Sequence, residues 1–300
     1  MKNKKLIILI VSILLVICIA VVAVVMITKK DDSYRIIKVY EFDGDGLVSR
    51  ESLGDIEPYN NMVLESGDNI KLNTGLMTLK LDDDKYVYVE ENTEFSLEAT
   101  GTSADSKTTI NLKSGAITNE IQNKLSGESS YEINTPNSTM AVRGTTYYVQ
   151  VFEDENGTNY TRVSVFEGKV TTKLVYADGT VEEKEVGVDA GKEVIIYEDA
   201  TTTDYLGDVS DIDYSTLPDD VLLKVGEVLN MDENMSDEEI VRTFKGPFTV
   251  TFTYNGNVFG TQTVKKGECA QIPSLMPAPS GSWNYDFSKP IVEDTEIKWE

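Results

Sequence analysis

Residues 147–166 read YYVQVFEDENGTNYTRVSVF, and this stretch decides the fold class. Its two ends, 147–152 and 160–166, are rich in β-branched and aromatic residues, which favour extended strands. Between them lies Asn156-Gly157, a dipeptide that accepts the positive φ angles of a tight hairpin turn. The pattern predicts two antiparallel strands joined by a short turn.

The same strand-forming pattern continues on both sides of this hairpin, from Tyr34 to about Ile196, and no long stretch with helical periodicity interrupts it. A second hairpin is predicted around Asp178-Gly179. Further strands are predicted at 34–42, 77–81, 86–89, 93–97, 109–112, 171–176 and 181–186. Many short strands at this spacing predict a mainly β protein, with an antiparallel sandwich or roll as its largest part.

The texture changes near Ala200, where a polar spacer leads to two predicted short helices. Pro218 opens the first, 219–229, which has acids in its first turn and apolar residues at helical spacing. Ser236 and Glu239 form a capping-box pattern that starts the second. These helices either dock on a neighbouring domain or bridge two domains. After them, two more strands are predicted around Asn255-Gly256.

A run of 23 uncharged residues, Leu6–Thr28, follows three lysines at the amino end. At about 1.5 Å per residue a helix of this length crosses a hydrocarbon core of about 30 Å. We expect a retained single-pass anchor rather than a cleaved signal peptide, whose apolar stretch is usually shorter and ends at small residues. The lysines place residues 1–5 in the cytoplasm as a short stub and leave the rest of the chain outside the membrane.

Composition narrows the classes of function. The chain has 27 basic and 51 acidic residues, a net charge of −24, and this balance repels nucleic acid. It has no histidine and only two cysteines, Cys18 and Cys269, so His-dependent catalytic triads and most zinc sites are excluded. An incomplete calcium-loop pattern at 43–46 lacks the later ligands of that motif. We therefore predict no enzyme, no catalytic residue, no metal and no cofactor, although a hydrolase built on an acid pair stays as a minor alternative.

The most specific motif spans residues 134–149. Pro136 ends a strand, Gly144 indicates a bulge or a close backbone approach, and Arg143 is a lone cation among apolar neighbours. A partly buried arginine needs a carboxylate or several carbonyls around it. We expect Arg143 to hold two strands together, with ligand binding as the alternative.

This motif resembles that of the FecR family. The resemblance rests on Asn134-Thr135-Pro136, Val142-Arg143-Gly144-Thr145 and Glu167-Gly168, within ordered motifs that cover residues 60–196. It implies an all-β extracytoplasmic domain behind a membrane anchor, and its best-known members pass an outer-membrane signal inward to a sigma factor through a substantial cytoplasmic segment. This chain departs from them, because the expected stub at 1–5 is too short to hold a sigma factor, so the resemblance does not carry that role over. The family residues expected to be structural are Thr135, Pro136, Val142, Arg143, Gly144, Thr145, Glu167 and Gly168.

The carboxyl end is similar to the internalin-type B repeat, also called the Listeria-Bacteroides repeat. The similarity lies in the strand 248–252, the turn Asn255-Gly256, and the aromatic residues Trp283, Phe287 and Trp299. It implies a small β-grasp-like module of bacterial surface proteins, involved in adhesion or spacing.

The expected organisation has five parts. They are a cytoplasmic stub (1–5), a transmembrane helix (6–28), a FecR-like β domain (34–200), a linker with two short helices (201–246) and a B-repeat-like module (247–300). We expect a non-enzymatic, single-pass bacterial membrane protein that acts in envelope sensing, scaffolding or surface binding. Its partner would be an extracellular protein, a glycan or a cell-wall polymer. The alternative is a signal-transducing regulator that works through a membrane partner toward a sigma factor or another transcription factor.

Overall fold

The structure is a computed structural model that describes residues 35–125, 127–142, 144–153, 155, 157–176, 178–197 and 209–300. The predicted anchor at 6–28 and the motif residue Arg143 lie outside the described residues. Within the described part of the chain, none of the helices combines the length and the apolar character that a membrane crossing requires.

The described residues form mainly strands, which confirms the predicted mainly β class. The strands are β1 (Ile37–Arg50), β2 (Gly54–Ile56), β3 (Asn69–Leu81), β4 (Lys85–Val89), β5 (Thr93–Thr100), β6 (Lys107–Ile121), β7 (Ser130–Asn134), β8 (Ser138–Val142), β9 (Thr146–Glu153), β10 (Asn159–Glu167), β11 (Lys169–Leu174), β12 (Val186–Asp189), β13 (Lys192–Tyr197), β14 (Ser210–Asp211), β15 (Phe248–Tyr254), β16 (Asn257–Val264) and β17 (Thr295–Lys298). Two helices, α1 (Asp219–Val228) and α2 (Asp237–Lys245), separate β14 from β15.

The first fourteen strands make two layers that share three long strands. The first layer has the order β14-β13-β10-β9-β6-β4-β3-β1, and the second has the order β12-β11-β8-β7-β6-β5-β3-β1-β2. Strand β6 shows how the sharing works. Its first half pairs with β5 and, in parallel, with β7, whereas its second half pairs with β4 and β9.

Glycine marks the point where β6 passes from one layer to the other. Gly115 has a φ of +83°, and a Cβ there would lie 2.5 Å from the Cα of Thr93 and 2.7 Å from the carbonyl oxygen of Asn92. No other residue type fits both the backbone angle and the space. The chain can therefore turn this corner without breaking the strand.

One apolar core fills the space between the layers. Inward residues of both layers belong to a single cluster of buried side chains, among them Leu79, Val149, Phe95 and Ile133. At about 25 cal/mol per Å² of apolar surface removed from water, such a core is the main source of stability for a domain that has no disulfide.

The helices form a third layer on the outer face of the first sheet. Val221, Leu222 and Val225 of α1 and Ile240 and Phe244 of α2 are buried with three outward residues of that sheet, Ala116, Tyr148 and Phe166. The capping box predicted at Ser236 and Glu239 is present. The sequence left open whether the helices dock or bridge, and in the structure they dock on the β domain.

The carboxyl-terminal residues form a separate small sheet with the order β16-β15-β17 and its own core around Phe252, Trp283 and Ile297. Strands β15 and β16 are the predicted hairpin around Asn255-Gly256, and β17 returns parallel to β15. The likeness to a B repeat stays a prediction.

One predicted hairpin of the β domain is confirmed, and the other is only partly present. Strands β9 and β10 pair antiparallel, as the sequence predicts. Around Asp178-Gly179 the chain also reverses, but the predicted strand 181–186 is wrong. Only Val181 forms a bridge, to Val175, and pairing with β11 resumes at Val186. The intervening residues are four charged side chains in a row, Glu182-Glu183-Lys184-Glu185, which do not favour a packed strand.

Replacing Gly115 with alanine tests the layer crossing. Gly191 is the matched control, because its φ of +78° carries the same backbone cost but a Cβ there would meet nothing within 4 Å. We expect Gly191→Ala to lower the free energy of unfolding by about 1 kcal/mol and Gly115→Ala by about 3 kcal/mol or more. Urea unfolding followed by circular dichroism measures both. Equal losses for the two variants would contradict the close approach at Gly115.

Candidate functional site

The family motif occupies both ends of strand β8. At its amino end, Asn137 is buried, and its Nδ2 donates a hydrogen bond of 2.8 Å to the carbonyl oxygen of Ile196 in the other layer. The hydroxyl of Thr161, also in the other layer, donates to the side-chain oxygen of Asn137, and its oxygen lies 2.8 Å from the hydroxyl oxygen of Thr135. Thr135 thus belongs to a buried polar cluster that joins the layers, while Pro136 beside it is exposed.

At the carboxyl end of β8, the segment 142–145 packs against the segment 168–170. Val142 is buried and pairs with Val170. Thr145 accepts a hydrogen bond of 3.1 Å from the amide of Ile121 through its carbonyl, and its hydroxyl donates one of 3.1 Å to the carbonyl of Lys169. A Cβ on Gly168 would lie 2.6 Å from the carbonyl oxygen of Gly144.

The described motif residues therefore meet as backbone corners and buried linkers, apart from Glu167, whose side chain is exposed. Their contacts are with the domain itself. The predicted role of Arg143 stays a prediction, because that residue lies outside the described part of the chain.

Sequence reasoning missed the role of Asn137. The pattern Asn137-Ser-Thr139 is a glycan acceptor in hosts that have the machinery, but in the folded domain this side chain is 1% exposed. Its amide is engaged with Ile196, so it cannot carry a glycan without unfolding. The preceding Thr135-Pro136 was the only local signal, because it places a constrained turn at this point.

The more informative site is the outer face of the first layer, where the helices pack. Arg162 on β10 is buried there and forms an ion pair with Glu193 on β13. Its Nε and Nη2 donate hydrogen bonds of 2.9 and 2.6 Å to one carboxylate oxygen, Oε2. The hydroxyl of Ser164 donates to the same oxygen over 2.9 Å, so both charges have partners.

This ion pair also holds the segment that leads into α1. Nη1 of Arg162 donates a hydrogen bond of 2.7 Å to the hydroxyl of Thr216, and Nη2 donates one of 3.3 Å to the carbonyl of Asp213. In return, the amide of Asp213 donates to Glu193 over 3.3 Å. Arg162 and Glu193 together fix the entry of the helical layer onto the sheet.

A second link joins the middle of α1 to the sheet. The ammonium of Lys224 lies 4.4 Å from the ring centroid of Tyr88 and donates hydrogen bonds of 3.0 Å to its hydroxyl and 3.2 Å to Glu120. The Tyr88 hydroxyl donates to Glu120 over 2.9 Å. Burial raises the pKa of Tyr88 to about 12, even though the Lys224 ammonium opposes this shift, so Tyr88 stays protonated in the physiological range.

A third contact places two carboxyl groups together. Glu90, just after β4, and Asp220, in the first turn of α1, line one cleft with Tyr148, Pro218 and Glu91. Burial, followed by the charge and hydrogen bond of Asp220, raises the pKa of Glu90 to about 8. At neutral pH, Glu90 is therefore mostly protonated and donates a hydrogen bond to the Asp220 carboxylate.

The ionisable groups of this face contact one another within the sheet and across the boundary between the sheet and the helices. Within the described residues, no three Cys, Asp or Glu side chains come together as a metal site would require. The buried ionisable groups on this face hold the helical layer, and one of them, Glu90, makes that attachment sensitive to pH. The site is a layer interface whose stability a proton can change.

Comparison with known proteins finds a family match for the central part of the chain. The family model named FecR protein matches residues 69–171. Two crystal structures of a candidate anti-sigma factor from Parabacteroides distasonis ATCC 8503 also match, each at 12% sequence identity. They cover 77% and 76% of this chain and 98% of their own chains, with TM-scores of 0.38 and 0.39. Scores of this size establish no common fold. No curated protein matches the chain at a significant level.

Replacing Glu90 with glutamine tests the carboxyl contact. The folded pKa of Glu90, about 8, lies above its ordinary value of 4.5, so the bound proton stabilises the folded state. That contribution is complete below about pH 4.5 and is lost as the pH rises through 8. We expect the wild type to lose on the order of 3 kcal/mol between pH 5 and pH 9 from this group, and Glu90→Gln to be the more stable protein at pH 9.

Urea unfolding of both proteins at pH 5 and pH 9 measures the difference. Glu132→Gln, at an exposed position on β7, is the matched control and should follow the wild type. An unchanged pH dependence in Glu90→Gln would contradict the contact between Glu90 and Asp220.

Proposed function

We propose, from the premise that residues 69–171 match the FecR family model, that the protein is a signal-transducing regulator of the bacterial envelope. It works by contact with other proteins rather than by catalysis. The match to the family model is the observation that carries the proposal, because the best-known members of this family relay an external signal to a transcription factor.

The arrangement of charged groups supports a non-enzymatic role. Arg162, Glu193, Lys224 and Glu120 are each engaged with another side chain of the helix-covered face. A catalytic site instead leaves groups with shifted pKa values facing an open cleft where a substrate can bind. Glu90 and Asp220 are the acid pair of this face that lines a cleft, and a hydrolase that uses them stays the minor alternative.

The proposal includes a place in the membrane. The predicted span at 6–28 would anchor the chain, with the FecR domain, the helical layer and the terminal module outside the cytoplasm. The regulator would then act through a second membrane protein toward a sigma factor or another transcription factor. The acidic surface, at a net charge of −24, favours partners other than nucleic acid.

A second candidate function is surface binding or scaffolding, in which the partner is an extracellular protein, a glycan or a cell-wall polymer. The apolar side chains exposed on the terminal module, Val258 and Leu275 among them, favour it because such patches commonly mark interaction sites. The two candidates differ in what the loss of the gene would change.

Deleting the gene and measuring transcripts distinguishes them. We expect a small, defined set of transcripts to change and to return when the full chain is restored. Unchanged transcripts together with lost binding to surfaces or wall material would favour the second candidate and contradict the first. Complementation with Gly191→Ala provides a control for the effect of a mild loss of stability.

Protease treatment of intact cells tests the proposed orientation and should remove the chain beyond about Lys30. A fully protected chain would contradict the proposed orientation.

A further inference from the structure

Strand β16 differs from every other outermost strand of the described structure. The first layer ends in β14 and β1, the second in β12 and β2, and the terminal sheet in β16 and β17. Five of these six carry a charged side chain, namely Lys38 on β1, Asp55, Asp189, Asp211 and, on β17, Glu296 and Lys298. Strand β16 has eight residues, NVFGTQTV, and none is charged.

Charges on outer strands prevent sheets from pairing edge to edge. Strand β16 lacks this protection, although only β1 is longer among the six. In the described residues 209–300, it pairs with β15 alone. Its other edge therefore presents backbone donors and acceptors that another strand can use.

The surface around β16 is apolar. Val258 is 67% exposed, and the ring centroid of Phe259 lies 5.8 Å from that of Trp283 in the module core. Gln262 holds the neighbouring segment through two hydrogen bonds with the backbone of Gln271, one of 2.7 Å and one of 2.9 Å. That segment continues into three more exposed apolar residues, Ile272, Leu275 and Met276. A group of this kind on a soluble module marks an interaction surface.

We propose that β16 pairs antiparallel with β16 of a second copy of this chain, around a twofold axis. The distribution of charge favours a second copy as the partner of β16. Two copies that each carry a net charge of −24 repel at most surfaces, whereas the 17 residues from Phe248 to Val264 contain no charge at all. Contact through β16 brings uncharged strands together and keeps the acidic faces apart.

Twofold pairing also satisfies the strand chemistry. In an isologous contact each copy supplies the same patch, so the apolar group around Val258 in one copy is matched by the same group in the other. The two three-stranded sheets become one sheet of six strands. This association goes beyond the proposed regulatory role and does not depend on it.

A cysteine scan in cells tests the pairing on the full chain. The native Cys18 and Cys269 are replaced by serine, and single cysteines are placed in turn at positions 257–263. After mild oxidation, we expect covalent dimers that peak at one or two neighbouring positions and fall off on both sides, because only a residue beside the twofold axis faces its own copy. Cysteines at the same density along β17 are the control and should give no dimers.

A charge variant provides a second measurement. Thr261→Lys places a lysine on the open strand, opposite or close to its own copy, and should weaken the dimer at least about tenfold in sedimentation of the purified full chain. Thr249→Lys adds the same charge to the central strand β15, at an exposed position, and should leave the dimer unchanged. A flat cysteine scan, cross-links to a different protein only, or a Thr261→Lys dimer as tight as the wild type would each overturn the proposal.

Discussion

The buried ion pair between Arg162 and Glu193 is the constraint on which the attachment of the helices to the sheet depends. A guanidinium removed from water must keep its partners, and losing one of two such groups costs about 3–5 kcal/mol. Here the pair binds two strands of one sheet and also the backbone at Asp213, which starts the helical layer. The helices could not leave the sheet without exposing this pair and the apolar contacts around Tyr148 and Phe166 together.

The rest of the β domain depends on strands that serve two layers. Because β1, β3 and β6 run through both, neither layer has an independent core, and the family motif lies where the chain crosses between them. Asn137 and Thr161 close one end of β8, and Gly144 and Gly168 close the other. This explains in physical terms why the motif combines small, constrained and hydrogen-bonding residues, since corners and buried linkers require these types.

Sequence patterns predicted the structural elements that depend on residues close together in the chain. The hairpin of β9 and β10, the capping box at Ser236 and the helix that begins at Asp219 are each specified within a few residues of sequence. Strand β6 was predicted only at 109–112, because Gly115 reads as a break unless its partner Thr93 is known. The strand in fact extends from Lys107 to Ile121.

The candidate site could not be predicted, because its burial is non-local. Arg162 alternates with apolar residues along β10, and this pattern is typical of a side chain that faces solvent. It becomes buried only because Thr216 and the helices, some 50 residues later, cover that face. For the same reason Glu90 looked like any other acid among 51, until Asp220 was placed in the same cleft.

The contacts between α1 and the sheet imply above all that the helical layer and the β domain unfold as one unit. Native-state hydrogen exchange of α1 and of β10 at increasing denaturant tests this most directly. We predict that the amides of α1 exchange with the same free energy, and the same denaturant dependence, as those of β10. Exchange of α1 through a separate opening of low free energy, while β10 stays protected, would contradict the account.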